Sequence, residues 1–260
     1  MRLTDSLFFV LFIKMFSPLE QFENHIFYPV TIAFFEVSLS SFSLSLIFSF
    51  IFFCMLFVGA SARLYLIPSA FQQGLENFYS AVISIVKSQT GPAGLAYFPY
   101  VFALFTFIFC CNFLGLIPFS FTPTAQIFLP FFLAFTSNIA LLIIGFAKNG
   151  KDFMKLFIPS GISPFLIPLI FVIELSTYLL RTFSLSLRLF ANMMAGHTLL
   201  FICSMTLYIG FASSNIFVFF TGYLLVIAVF ALELLISFLQ AYVFSVLFCV
   251  YLNDSLHPSH

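Results

Sequence analysis

Residues 174–197 read ELSTYLLRTFSLSLRLFANMMAGH, and the chain is oily on both sides of them. Between Phe157 and Asn253 the only Asp, Glu, Lys, Arg or His residues are Glu174, Arg181, Arg188, His197 and Glu233. An ionised side chain at the centre of a bilayer costs roughly 2.5–3.5 kcal/mol on insertion scales. Charges retained at that cost point to a functional site inside a membrane domain.

Composition agrees. Of 260 residues, 62% are hydrophobic and 7% charged, with a mean hydropathy of +1.16. A soluble domain carries about 25% charged residues, so the chain is a polytopic membrane protein. Its net charge of zero gives no footprint for nucleic acid. The five cysteines, Cys54, Cys110, Cys111, Cys203 and Cys249, lie inside apolar runs without zinc-site spacing and read as small core or lipid-facing residues. Neither a metal nor a cofactor is called for. Phenylalanine occurs 44 times and tryptophan never. That skew suggests an AT-rich coding genome, such as an organelle's.

Outward from the charged stretch, punctuation divides the chain. Residues 1–35 form an N-terminal segment, either a leader or a surface segment. Its apolar run from Leu7 to Ile13 is too short to span, because a crossing helix needs ~20 residues. His25, in the polar patch that follows, reads as a solvated loop residue. A single transmembrane domain is expected over 36–254, with a polar tail at 255–260. Residues 37–62 are uncharged and give a first span at about 40–62. Phe71, Leu75, Phe78, Val82 and Val86 recur at helical spacing between polar residues, which predicts an amphipathic surface helix at about 69–90. The uncharged stretch 88–147 has room for a helical hairpin, about 98–117 and 127–147, turning near Ser120 to Thr124. Asn112 lies in its first arm, either as an interhelical hydrogen-bonding group or along a water path. Lys148, Lys151 and Lys155, with Asp152, make the one basic loop. With Arg63 and Lys87 they mark the cytoplasm-equivalent side.

The segments 163–212 and 215–252 are far longer than a perpendicular span. A helix of about 45 residues measures ~68 Å against a ~30 Å core. Each must break or tilt strongly, and Gly196, Gly210 and Gly222 are possible bends.

At ~100° per residue, Arg181 lies about 20° from Arg188, and Glu174 and Asn192 lie about 40° away on one face. His197 falls ~180° from Arg188. On the last helix Glu233 and Gln240 are seven apart and share a face. Glu174 with Arg181 reads as a packing pair at i and i+7. Glu233 with His197 reads either as a buried hydrogen-bonded pair or as a working couple. Arg188 has no carboxylate within one turn, and its guanidinium stays charged. A partner acid from another subunit would satisfy it.

The string Ser-Leu-Arg188-Leu-Phe-Ala-Asn192-Met-Met-Ala-Gly-His197 closely resembles the signature of subunit a of the F-type ATP synthase. Three further elements join it: Asn112-Phe-Leu-Gly-Leu-Ile-Pro118, Glu174 fourteen before the arginine, and Leu-Glu233-Leu-Leu-Ile-Ser-Phe-Leu-Gln240-Ala-Tyr. The resemblance covers about residues 36–254. The order of His197 and Glu233 resembles the mitochondrial pattern.

The resemblance implies an all-α integral membrane protein. Five helices would cross the membrane beside one amphipathic surface helix, and the last two would be long, strongly tilted and wrapped around a ring of c-subunits. Arg188 would face the ring's carboxylic acids and block a direct proton leak. His197 and Glu233, with Asn192, Gln240 and Asn112 nearby, would line one aqueous half-channel, and Glu174 the other. Partners would be the c-ring, other membrane-sector and peripheral-stalk subunits, and the bilayer, with no bond-making active site in this chain. The location would be the mitochondrial inner membrane, multi-pass and organelle-encoded. The N-terminus would face the intermembrane space and the C-terminus the matrix.

The alternative is a secondary ion or anion transporter with a midplane arginine site. Transporters usually show two related halves, and the N-terminal half holds no copy of the charged helix pair. A third reading, a structural subunit whose charges only pack helices, predicts that removing Arg188 leaves proton coupling intact.

Overall fold

A computed structural model describes residues 22–28, 31–32, 35–36, 38–61, 69–117, 120–150, 153, 166–213 and 215–256. The apolar run at Leu7–Ile13, together with Arg63, Lys151, Asp152, Lys155 and the tail 257–260, lies outside the described residues. Within them the chain is a helical bundle with a small antiparallel β element before it. Helices α1 (Ser41–Ser61), α2 (Ala70–Thr90), α3 (Phe98–Gly115), α4 (Phe128–Asn149), α5 (Ile167–Ala212) and α6 (Ile216–Leu256) follow in order. Strand β1 (Ile26–Tyr28) pairs with β4 (Leu39–Ser40), and between them β2 (Thr31–Ile32) pairs with β3 (Phe35–Glu36). This β element was not expected from the sequence. Two- and three-residue strands leave too short an alternation to recognise.

Among the described residues, four helical stretches are long and apolar enough to cross a membrane: Pro92–Gly115, Phe128–Asn149, Ile167–Ala212 and Ile216–Leu256. The first expected span falls on α1, a helix of 21 residues.

The helix α2 starts at Ser69, whose hydroxyl accepts from the Gln72 N–H at 3.3 Å. It ends where Gly91 takes φ +62°, a conformation that disfavours any side chain. Its apolar stripe behaves differently along its length. Phe71 is exposed, as a helix lying on a bilayer would leave it. Val82 and Val86 are instead buried in the protein core, and Phe78 packs on Phe102, Phe105 and Phe109 of α3. The stripe meets protein there because α3 offers aromatic rings at matching spacing.

The core joins α2, α3 and α4 to the first half of α5 and the second half of α6. Val101, Leu104 and Ile108 meet Leu185, Leu189, Phe244, Phe248 and Leu252 in it. Polar ties fix α4 against α5: the Asn138 amide donates to the Thr182 hydroxyl at 2.6 Å, and the Tyr178 hydroxyl donates to the Asn138 carbonyl at 3.2 Å. At the other end the Asn149 amide donates to the Ser255 carbonyl at 2.7 Å, tying α4 to the last turn of α6.

The helices α5 and α6 are 46 and 41 residues long and continuous. Gly196, Gly210 and Gly222 therefore do not break them. At Gly210 and Gly222 the backbone of the partner helix comes close. An ideal Cβ on Gly210 would lie 2.5 Å from the Phe219 backbone nitrogen, and one on Gly222 would lie 2.9 Å from the Leu207 backbone. Small residues at such crossings let helix backbones approach.

Candidate proton-path site

The polar residues singled out in the sequence separate into two groups. The first surrounds Arg188. Its side chain is exposed, and it shares an open groove of about 350 Å³ with Thr177, Leu180, Arg181, Ser184, Leu185, Leu247 and Tyr251. Among the described residues no carboxylate pairs with it. Arg181 lines the same groove but is held differently. Its guanidinium carbon lies 3.7 Å from the Tyr251 ring centroid and 5.8 Å from that of Tyr178. The expected pair of Arg181 with Glu174 is absent among the described residues. An aromatic face on α6 takes the place of the carboxylate, since a ring quadrupole attracts a guanidinium without needing a second charge. Glu174 and Asn192 are half-buried on α5 and do not line this groove.

The second group lies at the other face. Glu233 and Gln240 are each 5% exposed, and Asn112 and Ser237 are fully buried. The Asn112 amide donates to the Ser237 carbonyl at 3.5 Å, joining α3 to α6. Glu233 lies against Gly196. A Cβ there would be 2.8 Å from Glu233 Oε1, so the glycine makes room for the carboxyl group. His197, the next residue, meets the ring of Phe22 edge to face at 6.4 Å.

The buried hydrogen-bonded pair of His197 and Glu233 is not formed. His197 Nε2, both Glu233 carboxyl oxygens, Asn112 Oδ1, Ser237 Oγ and Thr124 Oγ1 are buried without a hydrogen-bond partner. Among the described residues these are all the buried side-chain nitrogens and oxygens in that condition. An unpaired buried polar group costs about 1–3 kcal/mol. Five such residues are a poor way to pack helices.

Sequence reasoning missed Ser237, Thr124, Gln126, Phe22 and Tyr251. Ser237 was within reach, because it stands four residues from Glu233 on one helical face. Tyr251 carried no charge to attract notice. The other three sit in turns or ahead of α1, where no periodicity connects them to α5.

The family profile described as the ATP synthase A chain matches residues 41–253. The chain belongs to the ATP synthase A chain family. It is 40% identical over 252 residues to the ATP synthase subunit a of Bartonella tribocorum, covering 94% of this chain and 98% of that one. It is 40% identical over 249 residues to the subunit a of Rhodopseudomonas palustris, covering 95% of this chain and all of that one. The ATP synthase subunit a of Acanthamoeba castellanii is 40% identical over 248 residues, with 95% and 100% covered. For a member of the ATP synthase A chain family, both polar groups, on α3, α5, α6 and the turn Pro123–Ala125, fall inside the matched region.

Proposed function

We infer that the chain is the stator subunit a of the F-type ATP synthase membrane sector, coupling proton flow to rotation of a c-ring. Arg188 carries the reading: it is a permanently charged guanidinium on an apolar helix, exposed and unpaired among the described residues. A carboxylate brought past on a neighbouring ring would be its counter-ion. Arginine suits this better than lysine, because burial lets a lysine neutralise. Once the ring's acid is ionised opposite Arg188, the fixed charge also repels any proton crossing between the compartments. Each proton moving through ~100 mV releases about 2.3 kcal/mol, so a leak there wastes the drive.

His197, Glu233, Asn192, Gln240 and Asn112 line the access half-channel from the intermembrane-space side, and Glu174 lines the matrix-side exit. The unpaired buried atoms around Glu233 support the first assignment. Five crossings put the N-terminus toward the intermembrane space and the C-terminus toward the matrix. The tilted α5 and α6 wrap the ring, and other membrane-sector and peripheral-stalk subunits complete the stator. The mitochondrial inner membrane is favoured by the phenylalanine-rich composition and the order of His197 and Glu233. The relatives are mainly bacterial, so the family does not choose the membrane.

Arg188→Ala tests the reading. The complex assembles, while ATP synthesis driven by an imposed proton gradient is lost. Normal synthesis in that variant refutes it.

A further inference from the structure

We propose that Phe22 is a positioning residue for His197, held by a fixed strap, Phe22–His25, that closes the His197 end of the buried polar group. The proposal rests on the reading of His197 as part of the proton path. It gives a role to a segment that the sequence left as a leader or surface piece.

The strap is tied down at both ends. Asn24 Oδ1 accepts from the Ser41 hydroxyl at 3.0 Å and from the Phe42 N–H at 3.2 Å. These bonds satisfy the first turn of α1, where backbone donors lack helical partners. His25 N–H donates to the Ser41 hydroxyl at 3.2 Å, and Ser41 N–H donates to the His25 carbonyl at 2.9 Å. At the other end the Gln126 amide donates to the Phe22 carbonyl at 3.3 Å. Gln126 follows the short 3-10 turn Pro123–Ala125 that contains Thr124, one of the unpaired buried residues. The Phe22 ring then meets the imidazole at an interplanar angle of 75°.

This geometry has a chemical consequence. An imidazole exchanges protons through two nitrogens, and rotation of the ring chooses which surroundings each one meets. A phenyl ring packed against it offers no proton acceptor and restricts that rotation. Nε2 is buried without a hydrogen-bond partner among the described residues. Phe22 thus covers one side of the half-buried His197 and limits the turning of its imidazole. Gln126 sets where the phenyl ring stands.

The test uses the assembled synthase in its membrane. His197→Cys is labelled with a small membrane-impermeant methanethiosulfonate added on the strap side, with and without Phe22→Ala. Labelling of the parent's own five cysteines is subtracted. Loss of the aromatic cover raises the labelling rate severalfold, and Gln126→Ala does the same. In the chain with His197 intact, Phe22→Ala slows gradient-driven ATP synthesis at unchanged complex content, and Phe22→Leu restores most of the rate. An unchanged labelling rate overturns the strap. Faster labelling with undiminished synthesis overturns the positioning role. His197→Gln separates this from the proton-path reading. If it leaves synthesis intact while Phe22→Ala still speeds labelling, the path assignment fails and the strap's cover stands.

Discussion

Arg181 and Arg188 show how two identical side chains on one face of one helix acquire different jobs. Seven residues apart, they open into the same groove, yet among the described residues only Arg181 has an aromatic ring under its guanidinium. A cation–π contact is worth about 0.5–2 kcal/mol, more when water is excluded. Tyr251 therefore engages one charge and leaves the other available. Tyr251→Phe keeps the ring and lowers the thermal stability of the solubilised complex little. Tyr251→Leu removes the quadrupole and destabilises it by about 1–2 kcal/mol, measured as a drop in melting temperature. Equal effects of the two substitutions would show that the ring acts by packing alone. The arginines themselves were legible in the sequence because charge in an apolar run is conspicuous. The ring under Arg181 was not, because an aromatic in a phenylalanine-rich chain carries no such contrast.

The lengths of α5 and α6 were plain from the uncharged stretches between breakers, but the close approach that the glycines allow was not. Helical periodicity describes one helix at a time, and a glycine in such a run looks like a weak point. Gly210 and Gly222 are explained only by the partner helix, whose backbone lies within 3 Å of where their side chains would begin. Overpacking at a close crossing costs about 1–3 kcal/mol. Gly222→Leu should accordingly force the pair apart and cut the amount of assembled complex on native gels. Ala231→Leu, on an exposed side of the same helix, should leave it unchanged. Assembly at parental levels in Gly222→Leu would mean that the close crossing is dispensable. In α2 the helix was legible but only part of its environment, for the same reason: Phe78 meets Phe102, Phe105 and Phe109 of α3, and Val82 and Val86 join the same core.

Across the whole molecule the burial of α5 divides by face, and this division locates the surface a ring would meet. Leu189 and Met193 are buried against the chain's own core, at 1% and 4% exposed. Leu180, which lines the arginine groove, and Leu187, beside Arg188 in the chain, are 64% and 46% exposed. The far half of the α5–α6 pair is more open still, with Phe211, Ile216 and Phe217 between 72% and 84% exposed. Contiguous apolar surface beside an unpaired guanidinium fits a partner helix better than lipid alone, because lipid tails offer Arg188 no counter-charge. Cysteines placed at Leu187 and Leu189 separate the two faces. Leu187→Cys should form a disulfide with a cysteine introduced near the ring's acidic residue under mild oxidation, and Leu189→Cys should not. Cross-linking through Leu189→Cys, or none through Leu187→Cys in an active complex, would place the ring on another face and remove Arg188 from the interface.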